Sequence, residues 1–222
     1  VISYLEGEVT LDGRPAEIGA AVVPGSLLAT GAGAYCEVSF ADRNLLRLEP
    51  GTRVSVDPQA GVTLRQGALA LVLYRLRAMV PRGRRFTVRT PVAVAGVRGT
   101  VFYVKVESPE STYLCGCNGS LHFQGIEGGR ARKVRAAHHQ AFRFRRTPAG
   151  ITSEEAGMLY HDDQAVDGLA ARIGVRIDWS RPGRADRAPW RVPSSACGAG
   201  PCRRCSRLAT SCRPSPPGAW RV

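Results

Sequence analysis

The stretch STYLCGCNGSLHF, residues 111–123, brings two thiols and an imidazole close together at Cys115, Cys117 and His122. Thiolate sulfur and imidazole nitrogen form a soft donor set that suits zinc, copper(I) or iron. Asn118-Gly119 reads as a two-residue hairpin turn. A hairpin closed there puts Tyr113, Cys115, Cys117, Ser120 and His122 on one face, and Leu114, Leu121 and Phe123 on the other. His138 and His139 open the next strand, and His161 sits just before a helix. The candidate metal set is therefore Cys115, Cys117, His122, His138 and His139, with His161 in the same half of the chain. Adjacent histidines on a strand point to opposite faces, so at most one of His138 and His139 joins a given site.

Two other chemistries compete for the same residues. Cys115 and Cys117 on one strand face have Cα atoms about 6.5–7 Å apart, at the limit for an unstrained disulfide. Such a bond is strained, reducible and redox-active. Alternatively, both cysteines are small buried hydrophobes with no site at all. The sequence requires no cofactor; zinc, copper or iron enters only through this cluster.

The elements that must position these residues are mostly strands. Residues 1–148 break into short pieces rich in Val, Leu, Phe, Tyr and Thr, punctuated by Gly, Pro and Asn turns. No helical period persists there. Within residues 149–180, HDDQAVDGLAARIGVRIDW reads as a short helix. Asp162 or Asp163 caps it, Val166, Leu169, Ala170 and Ile173 line one side, and Gly174 ends it. VRIDW then reads as a strand with Val175, Ile177 and Trp179 on one side. Residues 181–222 are rich in Arg, Pro, Gly, Ser and Cys, and such a segment cannot offset its ordering entropy, so disorder is expected. Its Arg-without-Lys bias also fits an out-of-frame reading of GC-rich DNA. Cys197, Cys202, Cys205 and Cys212 there imitate a zinc knuckle with irregular spacing.

Charge argues against nucleic acid as a partner. The chain carries +13, but nine Arg against one Asp in residues 181–222 hold +8 of it, leaving +5 for the first 180 residues. No Gly-rich phosphate loop, nucleophile elbow or zincin motif is present, so no enzyme is expected. No apolar run reaches the roughly 18 residues of a membrane span. The chain begins with Val1 and reads as a fragment or a processed product that a signal peptide or anchor could have preceded; membrane association would come only through such a segment.

The blocks EGEV, GSLLATGAGAYCEVSFAD with LRLEPGTRVSV, LRQGALALVL and above all FTVRTPVAVAGVRGTVFYVKV resemble the FecR domain across residues 6 to about 145. The resemblance implies a mainly β, solenoid- or sandwich-like extracytoplasmic domain with a small C-terminal α+β appendage and no catalytic site. It also implies periplasmic signalling with a protein partner in the cell envelope, in some relatives linked to iron sensing. Residues 1–222 hold neither the cytoplasmic helical domain nor the membrane helix of the family's regulators, so sigma-factor control is not expected to carry over by default. The family motif falls on Thr90, Pro91, Val97, Arg98, Gly99, Thr100 and Phe102. Pro91 is expected to break the strand from Phe86, with Arg98 bracing a glycine-flanked corner or, alternatively, binding a partner.

Overall fold

A computed structural model describes residues 1–41, 43–58, 61–74 and 86–183; for Arg98, Gly129 and Arg130 it describes the backbone only. The disorder and the zinc knuckle expected in the tail lie outside the described residues, apart from 181–183. The first 74 residues hold β1 (Ile2–Glu6), β2 (Val9–Leu11), β3 (Arg14–Pro15), β4 (Leu27–Thr30), β5 (Tyr35–Phe40), β6 (Asn44–Leu48), β7 (Arg53–Asp57) and β8 (Gly61–Leu73). Then follow β9 (Phe86–Arg89), β10 (Ala93–Ser108), β11 (Ser111–Gly125), β12 (Gly128–Ala136), β13 (Gln140–Thr147), β14 (Gly150–Ala156) and α1 (Asp163–Arg172). All pairings are antiparallel except β8 with β9.

Three long strands organise the fold by changing partners midway. β8 lies between β7 and β9 over its first half and between β6 and β10 over its second. β10 passes from β9 to β8 while keeping β11 on its other side. β11 exchanges β13 for β12. Each strand carries a positive-φ glycine near its exchange: Gly67, Gly99 and Gly119. At each one the inward-facing residues switch parity. The main core takes Val62 and Leu64 but then Leu69, Leu71 and Leu73; Ala95 and Val97 but then Phe102 and Val104; Leu114 but then Leu121 and Phe123. An inserted residue flips the alternation, and strands that bend this way can turn the corner between packed sheets.

This explains the glycines inside VAGVRGTVF. They mark a corner, and β10 pairs irregularly with β11 between Arg98 and Phe102. The Arg98 guanidinium expected to brace that corner lies outside the described side chains. Thr90 and Pro91 form the turn from β9 to β10. The Thr90 hydroxyl donates to the Ala93 carbonyl and accepts from the Ala93 N–H and the Thr112 hydroxyl, each at 3.0 Å, all buried.

The second halves of β8 and β10 and the first half of β11 are buried on both faces, so their sequences read as nearly continuous apolar runs. Ala68, Ala70, Val72, Val101, Tyr103, Tyr113, Cys115 and Cys117 form a second core, which Val166, Leu169 and Ala170 of α1 cover. Asp162 caps α1 by accepting from the Ala165 N–H at 2.8 Å, and Gly174 ends it with φ 65°.

Three local expectations are corrected. Asn118-Gly119 closes no hairpin; it is a bulge within the continuous β11. VRIDW is not a strand: it covers the second core in irregular conformation, with Val175 buried and Ile177 and Trp179 packed against that core. Residues 150–156, read with the appendage, form β14 and pair with β13 along its length. Residues 181–183 are docked, since the Asn118 amide donates to the Asp178 and Arg181 carbonyls and its oxygen accepts from the Gly183 N–H.

Candidate functional site

The first half of β11 points Tyr113, Cys115 and Cys117 into the second core, and neither cysteine has exposed surface. His139 reaches them from the turn between β12 and β13, and His161 from the loop before α1. The Cys115 Sγ lies 3.4 Å from His139 Nδ1, and the Cys117 Sγ lies 3.3 Å from His161 Nε2. The four ligand atoms all lie within 4.8 Å of one another.

Each imidazole is held from behind. His161 Nδ1 is 2.7 Å from the Leu159 carbonyl, which can only accept, so Nδ1 carries the proton and the Nε2 lone pair faces Cys117. His139 Nε2 is 2.7 Å from an Asp163 carboxylate oxygen, which leaves Nδ1 toward Cys115. The His161 ring stacks on Tyr103 at 4.5 Å between centroids, and His139 stacks on Trp179 at 5.3 Å. The Tyr113 hydroxyl donates to the Gly157 carbonyl and accepts from the Leu159 N–H, fixing the loop that delivers His161.

The Cys117 thiol, together with His139 and His161, holds the Cys115 thiol far below its ordinary range despite burial. Burial and the neighbouring Cys115 push Cys117 up. Burial lowers the His139 pKa, but Cys115 and Asp163 outweigh it and leave the imidazole more basic than usual.

Of the residues singled out in the sequence, Cys115, Cys117 and His139 come together. His138 lies outside the sulfur cluster and contacts Asp163 at 2.9 Å, half exposed. His122 lies beyond the bulge, opposite Gly96 and Lys133, and belongs to neither His-containing group. Asp163, Trp179 and Tyr103 complete the surroundings, and no local motif marks them. Cys115, His139 and Asp163 also stand in the order of a thiol protease triad, with the Cys115 thiol fully buried.

The loop is tied a second time through Tyr160, whose hydroxyl donates to Glu107 Oε1 at 2.8 Å. Glu107 also accepts from the Ser111 hydroxyl and from the Nε and Nη2 of Arg143. Partial burial raises the Glu107 pKa, but the Arg143, Ser111 and Tyr160 hydrogen bonds outweigh it and bring it from 4.5 to about 2. A depressed carboxylate contributes stability above its unfolded pKa and loses it as pH falls from 4.5 toward about 2. Glu107→Gln is expected to flatten the acid side of the stability profile. Urea midpoints at neutral pH and near about pH 3 test this, and equal acid losses in both proteins would contradict it.

No curated protein matches the chain. Two crystal structures from Parabacteroides distasonis ATCC 8503, both provisionally described as anti-sigma factors, are similar to it. One is 18% identical with a TM-score of 0.45, over 58% of this chain and 59% of its own. The other is 17% identical with a TM-score of 0.47, over 72% of this chain and 82% of its own. No helix among the described residues is long and apolar enough to cross a membrane. Residues 26–116, from just before β4 to the middle of β11, match the family model described as FecR protein.

Proposed function

We propose that the chain is a non-enzymatic, extracytoplasmic FecR-type binding and signalling module that acts through a protein partner in the bacterial cell envelope. The family match over residues 26–116 carries this reading. Two further observations support it: parts of three long strands are buried on both faces, and the Cys115 thiol beside His139 and Asp163 is fully buried. A second reading, that the module responds to metal or thiol oxidation, is favoured by the four-donor cluster. Iron-related sensing would fall within either reading.

Fractionation and in-cell cross-linking of the epitope-tagged protein in its bacterium tests the first reading. The tag is expected in the periplasmic or envelope fraction, cross-linked to an envelope protein. Recovery in the cytoplasm, or a cross-linked species lost when a cytoplasmic enzyme is removed, would overturn it.

A further inference from the structure

We infer that Cys115, Cys117, His139 and His161 form a closed, four-coordinate site for a zinc-class divalent cation, which clamps residues 157–183 onto the sheet. The inference rests on the cluster alone and does not depend on the identity of an envelope partner. The family match ends at residue 116, so Cys117 and both histidines lie beyond it.

Geometry carries the argument. A tetrahedral zinc with Zn–S of about 2.3 Å and Zn–N of about 2.0–2.1 Å holds neighbouring sulfur and nitrogen about 3.5 Å apart. The Cys115–His139 and Cys117–His161 separations are 3.4 and 3.3 Å. Tautomers are also set in advance, because the carboxylate of Asp163 and the carbonyl of Leu159 hold the outer nitrogens and turn both lone pairs inward. Outer-shell partners of this kind are a regular feature of histidine metal ligands. Ring stacking on Tyr103 and Trp179 fixes the two planes.

Charge and donor type choose the metal class. Two thiolates and two neutral imidazoles balance a divalent cation, so the complex is neutral where burial is deepest. Two sulfurs and two nitrogens in tetrahedral array suit zinc, while magnesium, calcium and manganese want oxygen. All four positions are filled by protein, as in structural sites rather than catalytic ones. A cavity of about 160 Å³ adjoins the cluster, lined by Cys117, His161, Tyr103, Tyr160 and Glu49. The neighbouring His138, His139 and Asp163 group is the outer shell of this site, since its His139 Nε2 is already held by Asp163.

The clamp follows from where the ligands sit. Two are on β11, one is in the turn before β13, and His161 belongs to the segment that leads into α1. A site that exists only when these pieces meet converts binding free energy into docking free energy.

The test uses the full chain, reduced and purified without added metal. Elemental analysis is expected to find one zinc per chain that is absent from Cys115→Ser/Cys117→Ser, and cobalt(II) is expected to give the intense visible bands of a tetrahedral thiolate complex. Asp163→Ala should weaken zinc about 10–100-fold in chelator competition, and Cys36→Ser should leave it unchanged. Folded protein without zinc or cobalt bands, zinc retained in the double variant through the tail cysteines, or copper or iron held in its place would overturn the site. Hydrogen exchange in residues 157–183 is expected to slow at least about tenfold when zinc is added. Stoichiometric zinc at the cluster with unchanged exchange would overturn the clamp and leave the site standing.

Discussion

Saturating zinc is expected to raise the thermal midpoint of the full chain by about 8–16 °C over its value in chelator. A ligand at a thousand times its dissociation constant that binds only the folded state adds about 4 kcal/mol. For a domain of this size each kcal/mol moves the midpoint by about 2–4 °C. The large effect depends on the four donors converging only in the folded chain. Cys115 and Cys117 are close in sequence, but His139 and His161 reach them through the β12–β13 turn and the loop that Tyr113 fixes. In Cys115→Ser/Cys117→Ser the midpoints with zinc and with chelator should coincide, with far-UV circular dichroism confirming a folded variant. A shift of equal size in the double variant would place the binding elsewhere on the chain.

Part of this centre could be read from the sequence. Alternation puts Tyr113, Cys115 and Cys117 on one face, and they share that face in the fold. The hairpin expected at Asn118-Gly119 and the bulge found there have the same effect on parity. Both let Leu114 share a side with Leu121 and Phe123, so the faces came out as expected although the topology did not. His122 shows the limit of that reasoning. Parity assigns a side of a strand, but only the bend at the exchange point decides which half of the sheet the side chain joins. Asp163, Trp179 and Tyr103 were illegible because they enter through helix docking and ring stacking, which leave no local spacing to find.

The fold follows the same division. Turn residues and β-branched runs announce the strands, and the cap, apolar face and terminal glycine of α1 lie close together in sequence. VRIDW carries perfect alternation and is still not a strand. Its backbone meets no free sheet edge, because it packs across the faces of β8, β10 and β11, and Asn118 takes up the Asp178 carbonyl instead. Conversely, β14 is a polar edge strand with little apolar signal, formed because β13 offers it a full ladder. Periodicity describes a side chain's preference for a face, while a strand also needs a backbone partner.

Gly119→Ala is expected to destabilise the domain by about 2–6 kcal/mol, because conformational strain and overlap act together there. Gly119 has φ 119°, which disfavours any side chain, and a Cβ built on it would lie 2.4 Å from Thr100 Cγ2 and 3.0 Å from Thr100 Cα. Thr100 cannot retreat easily, since it is buried and its backbone pairs with Leu73 at the bend of β10. The two glycine-bearing corners of β10 and β11 therefore pack against each other, and the residue before Gly119 holds the Ala137, Asp178 and Arg181 carbonyls. Gly128→Ala is the matched control: its φ is 100°, and nothing lies within 4 Å of the added carbon. Denaturant midpoints should place Gly119→Ala below Gly128→Ala by about 1–3 kcal/mol, the part due to overlap. Equal losses would mean that strain alone sets the requirement for glycine and that the corners do not bear on each other.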